Sequence, residues 1–204
     1  MTTTLRGLLA SIMLLCPVLC SAGQVEKPPP PNLLKNAGFE EPANGAGALP
    51  AQWQYESSAG QRSGVTNGCR KTGEQSLQMR THGTPGGFQA IVQTVAVEAG
   101  SRYSFSVAVR NSSEDPFRGR DMSGAYGQLV IQWVDKSTQE VGRVWSPTWD
   151  HLLSRLHWEL ITLKHVTAPD RAANAVVGVH LYEGPSGALG SFNVDDITMS
   201  RDSR

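Results

Sequence analysis

Four stretches of this chain alternate apolar and polar residues with a period of two, the pattern of a strand that lays one face on a core. Tyr103, Phe105, Val107 and Val109 interleave with Ser104, Ser106, Ala108 and Arg110. Leu129, Ile131 and Trp133 interleave with Gln128, Val130 and Gln132, and Val177, Val179 and Leu181 with Gly178, His180 and Tyr182. Phe88, Ala90 and Val92 do the same with Gln89, Ile91 and Gln93. Turn formers such as Pro85-Gly86-Gly87 and Glu98-Ala99-Gly100-Ser101 punctuate the strands. No stretch sustains a 3.6-residue period; the best helical candidate, residues 149–160, is short and broken by His and Arg. The pattern predicts an all-β fold, an antiparallel β-sandwich or jelly roll.

The polar positions of these strands carry Gln89, Gln93, Ser106, Arg110, Gln128, Gln132, His180 and Tyr182. Simple solvation favours Lys and Glu; amide, guanidinium, imidazole and phenol groups instead match the hydroxyls of a sugar. If the strands are neighbours in one sheet, these side chains make a ligand face, although any antiparallel sheet with one wet face shows polar alternation.

Composition changes the picture little. Lys plus Arg and Asp plus Glu each total 18 with no long run of either sign, so nothing points to a nucleic-acid or acidic-membrane partner. Gly (21) and Pro (12) fit many short elements joined by tight turns.

Residues 1–22 read as a secretory signal: Arg6, an apolar run over 8–19, then small residues at Cys20-Ser21-Ala22. The run falls short of the roughly 20 apolar residues a membrane span needs. A lipid anchor at Cys20 would require a small residue where Leu19 stands. The expected location is secreted or periplasmic. Residues 23–31 form a Pro-rich spacer, and the folded domain covers 32–200. After cleavage only Cys69 remains, in a turn-like setting before a strand, so no internal disulfide forms.

The stretch 32–41, Asn-Leu-Leu-Lys-Asn-Ala-Gly-Phe-Glu-Glu, followed by Leu49-Pro50, Trp53 and Thr72-Gly73-Glu74-Gln75-Ser76-Leu77, resembles the opening of CenC-type carbohydrate-binding modules. The resemblance continues through Val92-Gln93-Thr94-Val95, Ala99 to Tyr103, Trp133-Val134-Asp135, Trp158 with Thr167-Ala168-Pro169, and Phe192-Asn193-Val194-Asp195-Asp196-Ile197, covering residues 32–199. It implies a galactose-binding-like jelly roll that binds a polysaccharide or glycan, often with a structural calcium near the paired chain ends. By family position Glu40 and Asp195 would supply carboxylates and the Lys71-Thr72-Gly73 turn carbonyls, with Asp196 the alternative to Asp195. The resemblance also makes Trp53, Trp133 and Trp158 structural. Trp145 and Trp149, flanking Ser146-Pro147-Thr148, are the preferred stacking residues, followed by Tyr126 and Tyr182.

Catalytic patterns are sparse. Glu40-Glu41 and Asp195-Asp196 are adjacent pairs unsuited to the spaced carboxyls of a glycosidase, and Glu183 lacks an obvious partner. The histidines at 82, 151, 157, 165 and 180 show no zinc spacing, and there is no Gly-x-Ser-x-Gly elbow. One enzyme reading survives, a jelly-roll polysaccharide lyase in which Arg110, Gln132, His180 and Tyr182 share a face. A third reading is an envelope adhesion module with Trp145 and Trp149 as protein-interface anchors, and a free-standing sugar-binding module would work beside a partner enzyme.

Overall fold

The computed structural model describes residues 29–42, 47–117, 124–187 and 189–203. The signal segment, Cys16, Cys20 and most of the spacer lie outside the described residues. Ten strands form: β1 (Gln54–Ser57), β2 (Gly64–Thr66), β3 (Ser76–Arg80), β4 (Phe88–Ala96), β5 (Arg102–Asn111), β6 (Tyr126–Val134), β7 (Glu140–Trp145), β8 (Glu159–Thr167), β9 (Asn174–Tyr182) and β10 (Ser191–Arg201). They pair antiparallel into two five-stranded sheets, ordered β1-β4-β9-β6-β7 and β2-β3-β10-β5-β8. The fold is the expected all-β sandwich, and among the described residues there is no helix.

Between the sheets, Leu77, Met79, Phe105, Val107, Phe192, Val194 and Ile197 face Ile91, Leu129, Ile131, Trp133, Val177 and Val179, all but shut off from solvent. Each such side chain contributes about 1.5–3 kcal/mol by leaving water. The alternation reads correctly on β5, β6 and β9, whose odd-numbered apolar residues from Tyr103 to Val109, Leu129 to Trp133 and Val177 to Leu181 all point inward.

On β4 the expected face is inverted. Ile91 lies opposite Val179, in the core, so its period-two neighbours Gln89 and Gln93 also point inward, while Phe88, Ala90 and Val92 point out. The inward amides are stable because they are bonded. Gln93 donates to Lys35 O (3.0 Å) and Gln52 O (3.1 Å) and accepts from Lys35 N (2.8 Å), pinning the incoming chain to the sheet. Gln89 accepts from Tyr55 Oη (2.5 Å) and Ser63 Oγ (2.6 Å). Their polarity signalled buried hydrogen bonding rather than exposure.

β5 belongs to the other sheet, so Ser106 and Arg110 do not share a face with His180. In the 149–160 segment, residues 150–158 form turns and bends held by the side chains of Asp150, Ser154 and Glu159, inserting Leu153 into the core and leaving Leu152 and Leu156 exposed, and residues 159–160 open β8. Trp53 and Trp133 are core residues as expected, whereas Trp158 is only half-buried. Leu33 N donates to Met199 O (2.7 Å) and Met199 N to Asn32 Oδ1 (2.9 Å), so the segment around residues 32–33 closes onto the last strand.

Candidate functional site

The outer face of the β1-β4-β9-β6-β7 sheet carries an open trough of about 180 Å³ lined by Glu56, Phe88, Ala90, Val92, Val130, Gln132, Arg143, Trp145, Val176 and His180. Strand register dictates its shape. One line across the strands runs Glu56, Ala90, His180, Gln128; the next runs Gln54, Val92, Gly178, Val130, Trp145. Small residues at 90 and 178 lower the floor between larger walls. A larger hollow, about 390 Å³, borders Leu33, Lys35, Gln52 and the end of β4, but no aromatic ring lines it.

His180 occupies the middle of the trough. Its ring stacks on Phe88 (centroids 5.7 Å apart, planes 14° apart) and meets the edge of Trp145 at 5.6 Å. Phe88 and Trp145 are each 39% exposed, which is high for rings of this size and leaves their outer surfaces open to a ligand. Burial, and then the charge of Arg143, hold His180 below the ordinary imidazole value, so it is neutral at pH 7. Its Nδ1 is buried without a partner, which leaves Nε2 as the nitrogen that can meet a ligand. Tyr126 and Tyr182 form a tilted pair (5.3 Å) at one end of the face. At the far end Arg143 lies over the Trp145 ring (5.6 Å) and donates to Glu140 Oε2 (2.6 Å), which also accepts from Gln132 Nε2 (2.9 Å).

Of the residues expected in a site, Gln132, Trp145 and His180 come together in the trough, and Tyr182 lies beyond it on the same face of β9. Trp145 does so as the last residue of β7, not from a loop. Arg110 lies on the opposite sheet, with its Nε donating to Arg155 O (2.9 Å). Trp149 is a core residue, 6% exposed, because the chain turns at Ser146-Pro147 and sends the ring inward onto Phe192 (5.6 Å). A methyl group on Gly127 would come within 2.2 Å of that ring, so only glycine admits it. Phe88, Arg143 and Glu140 were missed. Arg143 and Trp145 stand two apart on one face of a short strand, a signal present in the sequence but brief.

The proposed cation ligands also meet. β10 carries a bulge between Asp195 and Thr198, with Asp196 at φ 47°. Asp195 is fully buried; its Oδ2 accepts from Lys71 N (2.8 Å) and Thr72 N (3.2 Å) and its Oδ1 from Asp196 N (2.8 Å). Asp196 instead pairs with the Lys71 ammonium (2.5 Å). Glu40 accepts from Glu74 N (3.0 Å) and sits against Gly73, where φ is +60° and an added Cβ would lie 2.0 Å from Oε1. A Cβ built on Gly38 would be 3.8 Å from Glu40 Oε1 and 4.0 Å from Asp195 Oδ1, so the two carboxylates border one small space. Burial and then the neighbouring Asp196 charge push Asp195 up, against the hydrogen bonds from Lys71, Asp196 and Thr72, and the net direction is upward. A buried carboxylate beside another, with no cationic side chain paired to either among the described residues, fits a hard cation. Among the described residues no three acidic, His or Cys side chains converge, so further ligands would be backbone carbonyls.

Asn111, in the formal sequon Asn111-Ser112-Ser113, is buried, its side chain accepting from Phe117 N (2.7 Å) and donating to Phe117 O (3.4 Å), and is out of reach of a sugar in the folded state.

No protein-family model matches the chain, and no curated protein matches it. Solved structures do. The chain is similar to the enzymatically active domain of bacteriophage CBA120 tailspike protein 4 (TM-score 0.61, 13% identity), over 84% of its own length and 21% of the tailspike's. It thus spans about a fifth of that protein's length. It is similar over 84% of its length to nearly all (99%) of a family 61 carbohydrate-binding module solved with β-1,4-galactotriose (TM-score 0.52, 16% identity). The family 22 xylan-binding domain from Paenibacillus barcinonensis Xyn10C matches over 86% of this chain and 97% of its own (TM-score 0.53, 13% identity). At these identities the likeness establishes the fold: a β-sandwich jelly roll of the kind on which carbohydrate-binding modules are built.

Proposed function

We propose that this chain is an exported carbohydrate-binding module that holds a polysaccharide in the trough over β4, β9, β6 and β7 without cleaving it. The observation that carries this reading is the line of Phe88, His180 and Trp145, whose half-open rings flank a floor kept low by Ala90 and Gly178. Sugar rings present apolar C–H faces to such side chains and hydroxyls to groups like His180 Nε2 and Gln132. Glu56 and Glu140, the carboxylates of this face, stand on β1 and β7, four strand spacings or about 19 Å apart, against the 5–10 Å of a glycosidase pair. The lyase reading needs Arg110 beside His180, and Arg110 is on the other sheet. The adhesion reading loses one of its two anchors, because Trp149 is buried. Affinity electrophoresis of the full chain through gels containing neutral or uronate polysaccharides tests the proposal. Retardation by a polymer that stays intact supports it, and free migration in every gel removes it.

We further propose that calcium binds between Glu40 and Asp195, with carbonyls of the Lys71-Thr72-Gly73 turn, and ties the segment that carries Glu40 to β10. Its role is structural: the ion would supply the positive charge that Asp195 lacks. At about 100 times its Kd, calcium should stabilise by about 2.7 kcal/mol and raise Tm by roughly 5–10 °C, a gain that a chelator reverses. Asp195→Asn and Glu40→Gln should each abolish the response to calcium. An equal Tm with calcium and with chelator in the parent protein would sink the proposal.

A further inference from the structure

Among the described residues, the formal charges at the trough are Glu56 on one rim and Arg143 on the other, with Glu140 beside the lining and paired to Arg143. Arg143 is the sole cation among them, and it is engaged twice, over the Trp145 ring and on Glu140 at 2.6 Å. The same Glu140 oxygen also takes Gln132 Nε2 at 2.9 Å, so one carboxylate engages an N–H donor of each neighbouring side chain and leaves Gln132 Oε1 as an acceptor. His180 adds no charge at neutral pH. The face therefore carries a net charge of about −1 around its aromatic centre.

We propose that Glu140 is a specificity-determining residue: by occupying Arg143 and Gln132 it makes the trough accept neutral glycans and refuse acidic ones. The proposal rests on the glycan-binding reading of the trough and adds to it the residue that sets ligand charge. A guanidinium has five N–H donors in a fork that matches a carboxylate, so an unmasked Arg143 beside Trp145 would be a uronate site. Glu140 takes one arm of that fork, at Nη2, and adds a negative charge that a uronate would have to approach. The carboxylates of an acidic polymer are repelled by Glu140 on one rim and Glu56 on the other, whereas a neutral chain meets only rings and hydrogen-bonding groups.

The test runs the parent protein, Glu140→Gln, and Glu140→Gln with Arg143→Gln through gels containing a neutral polysaccharide or polygalacturonate, with melting curves to verify folding. Glu140 is on an exposed strand at the sheet edge, so its variant should fold. The parent should be retarded by a neutral polymer and not by polygalacturonate. Glu140→Gln should gain about tenfold in affinity for polygalacturonate, the gain should shrink as salt is added, and the double variant should lose it. No gain in Glu140→Gln, a gain that survives loss of Arg143, or parent binding to polygalacturonate as tight as to neutral polymers would each overturn the assignment. Failure of all three proteins on every polymer would overturn the glycan-binding reading with it. A parent that binds nothing, with a Glu140→Gln variant that binds polygalacturonate, would sink the neutral-glycan reading and leave the masked Arg143 standing.

Discussion

Replacing Glu183 by Gln should lower Tm by roughly 5–15 °C at pH 7, the effect of about 2–4 kcal/mol in a domain of this size. Glu183 directly follows β9 and is fully buried, and its carboxylate is surrounded by donors. Oε1 accepts from His82 N (2.9 Å) and Gln89 Nε2 (3.0 Å) and lies 3.2 Å from His82 Nδ1, while Oε2 accepts from Thr84 N (2.8 Å). An amide in this place must turn its own NH₂ toward one of those donors, leaving a buried N–H unpaired. Burial raises the carboxyl's pKa, but the bonds from His82, Thr84 and Gln89 outweigh it, and the net shift is downward. The sign follows from that direction. Glu183 contributes stability that is fully present above the unfolded carboxyl value of about 4.3 and is lost as pH falls through the lower folded value. The Tm gap between parent and variant should therefore be widest near neutrality and narrow toward pH 3. A gap that stays constant over that range would mean Glu183 does not act as a charged acceptor.

The same residue shows why the sequence was legible in some places and silent in others. Alternation exposes which residues share a face, and on β5, β6 and β9 the apolar set is unmixed, so face and core coincide. On β4 both faces are mixed: Ile91 falls among glutamines and Phe88 among small residues, and only the pairing of Ile91 with Val179 decides between them. Glu183, Gln89, Tyr55, Ser63 and His82 are far apart in the chain and become one polar cluster only when the sheets meet, which no local period encodes. Sheet membership was equally hidden. Arg110 and His180 occupy equivalent positions in equivalent-looking strands, yet β5 pairs with β10 and β8 while β9 pairs with β4 and β6. The meeting of Glu40 with Asp195 followed from resemblance rather than from any spacing, and the bulge at Asp195-Asp196 determines which of the two acids turns inward.

Trp145 and Trp149 are four residues apart and should behave as opposites, which makes their paired substitution the sharpest probe of the trough. Trp145→Ala should weaken polysaccharide binding about 30-fold or more, as loss of a central aromatic contact worth about 2 kcal/mol or more does, while Tm changes by only a few degrees. The reason is its position. Its ring stands on the edge strand β7, 39% exposed, and touches only His180 and Arg143 among its ring contacts, so little of the fold depends on it. Its removal would also free one side of His180 and leave Arg143 with Glu140 alone, so the site loses both its flat surface and its arrangement. Trp149→Ala should do the reverse at first sight, costing about 3–5 kcal/mol of stability by opening a cavity between Gly127 and Phe192. Trp149 also bridges to Gly127 through paired backbone bonds of 2.8 and 3.0 Å, which hold the start of β6 in place, but its side chain never reaches the trough. Where the Trp149 variant stays folded, at low temperature, it should bind polysaccharide like the parent. Calorimetric titration and melting curves on the two variants separate these outcomes. If Trp145→Ala binds as tightly as the parent, the ligand lies elsewhere than on this face; if Trp149→Ala alone loses affinity while still folded, the site lies at the Gly127 end of the sandwich instead.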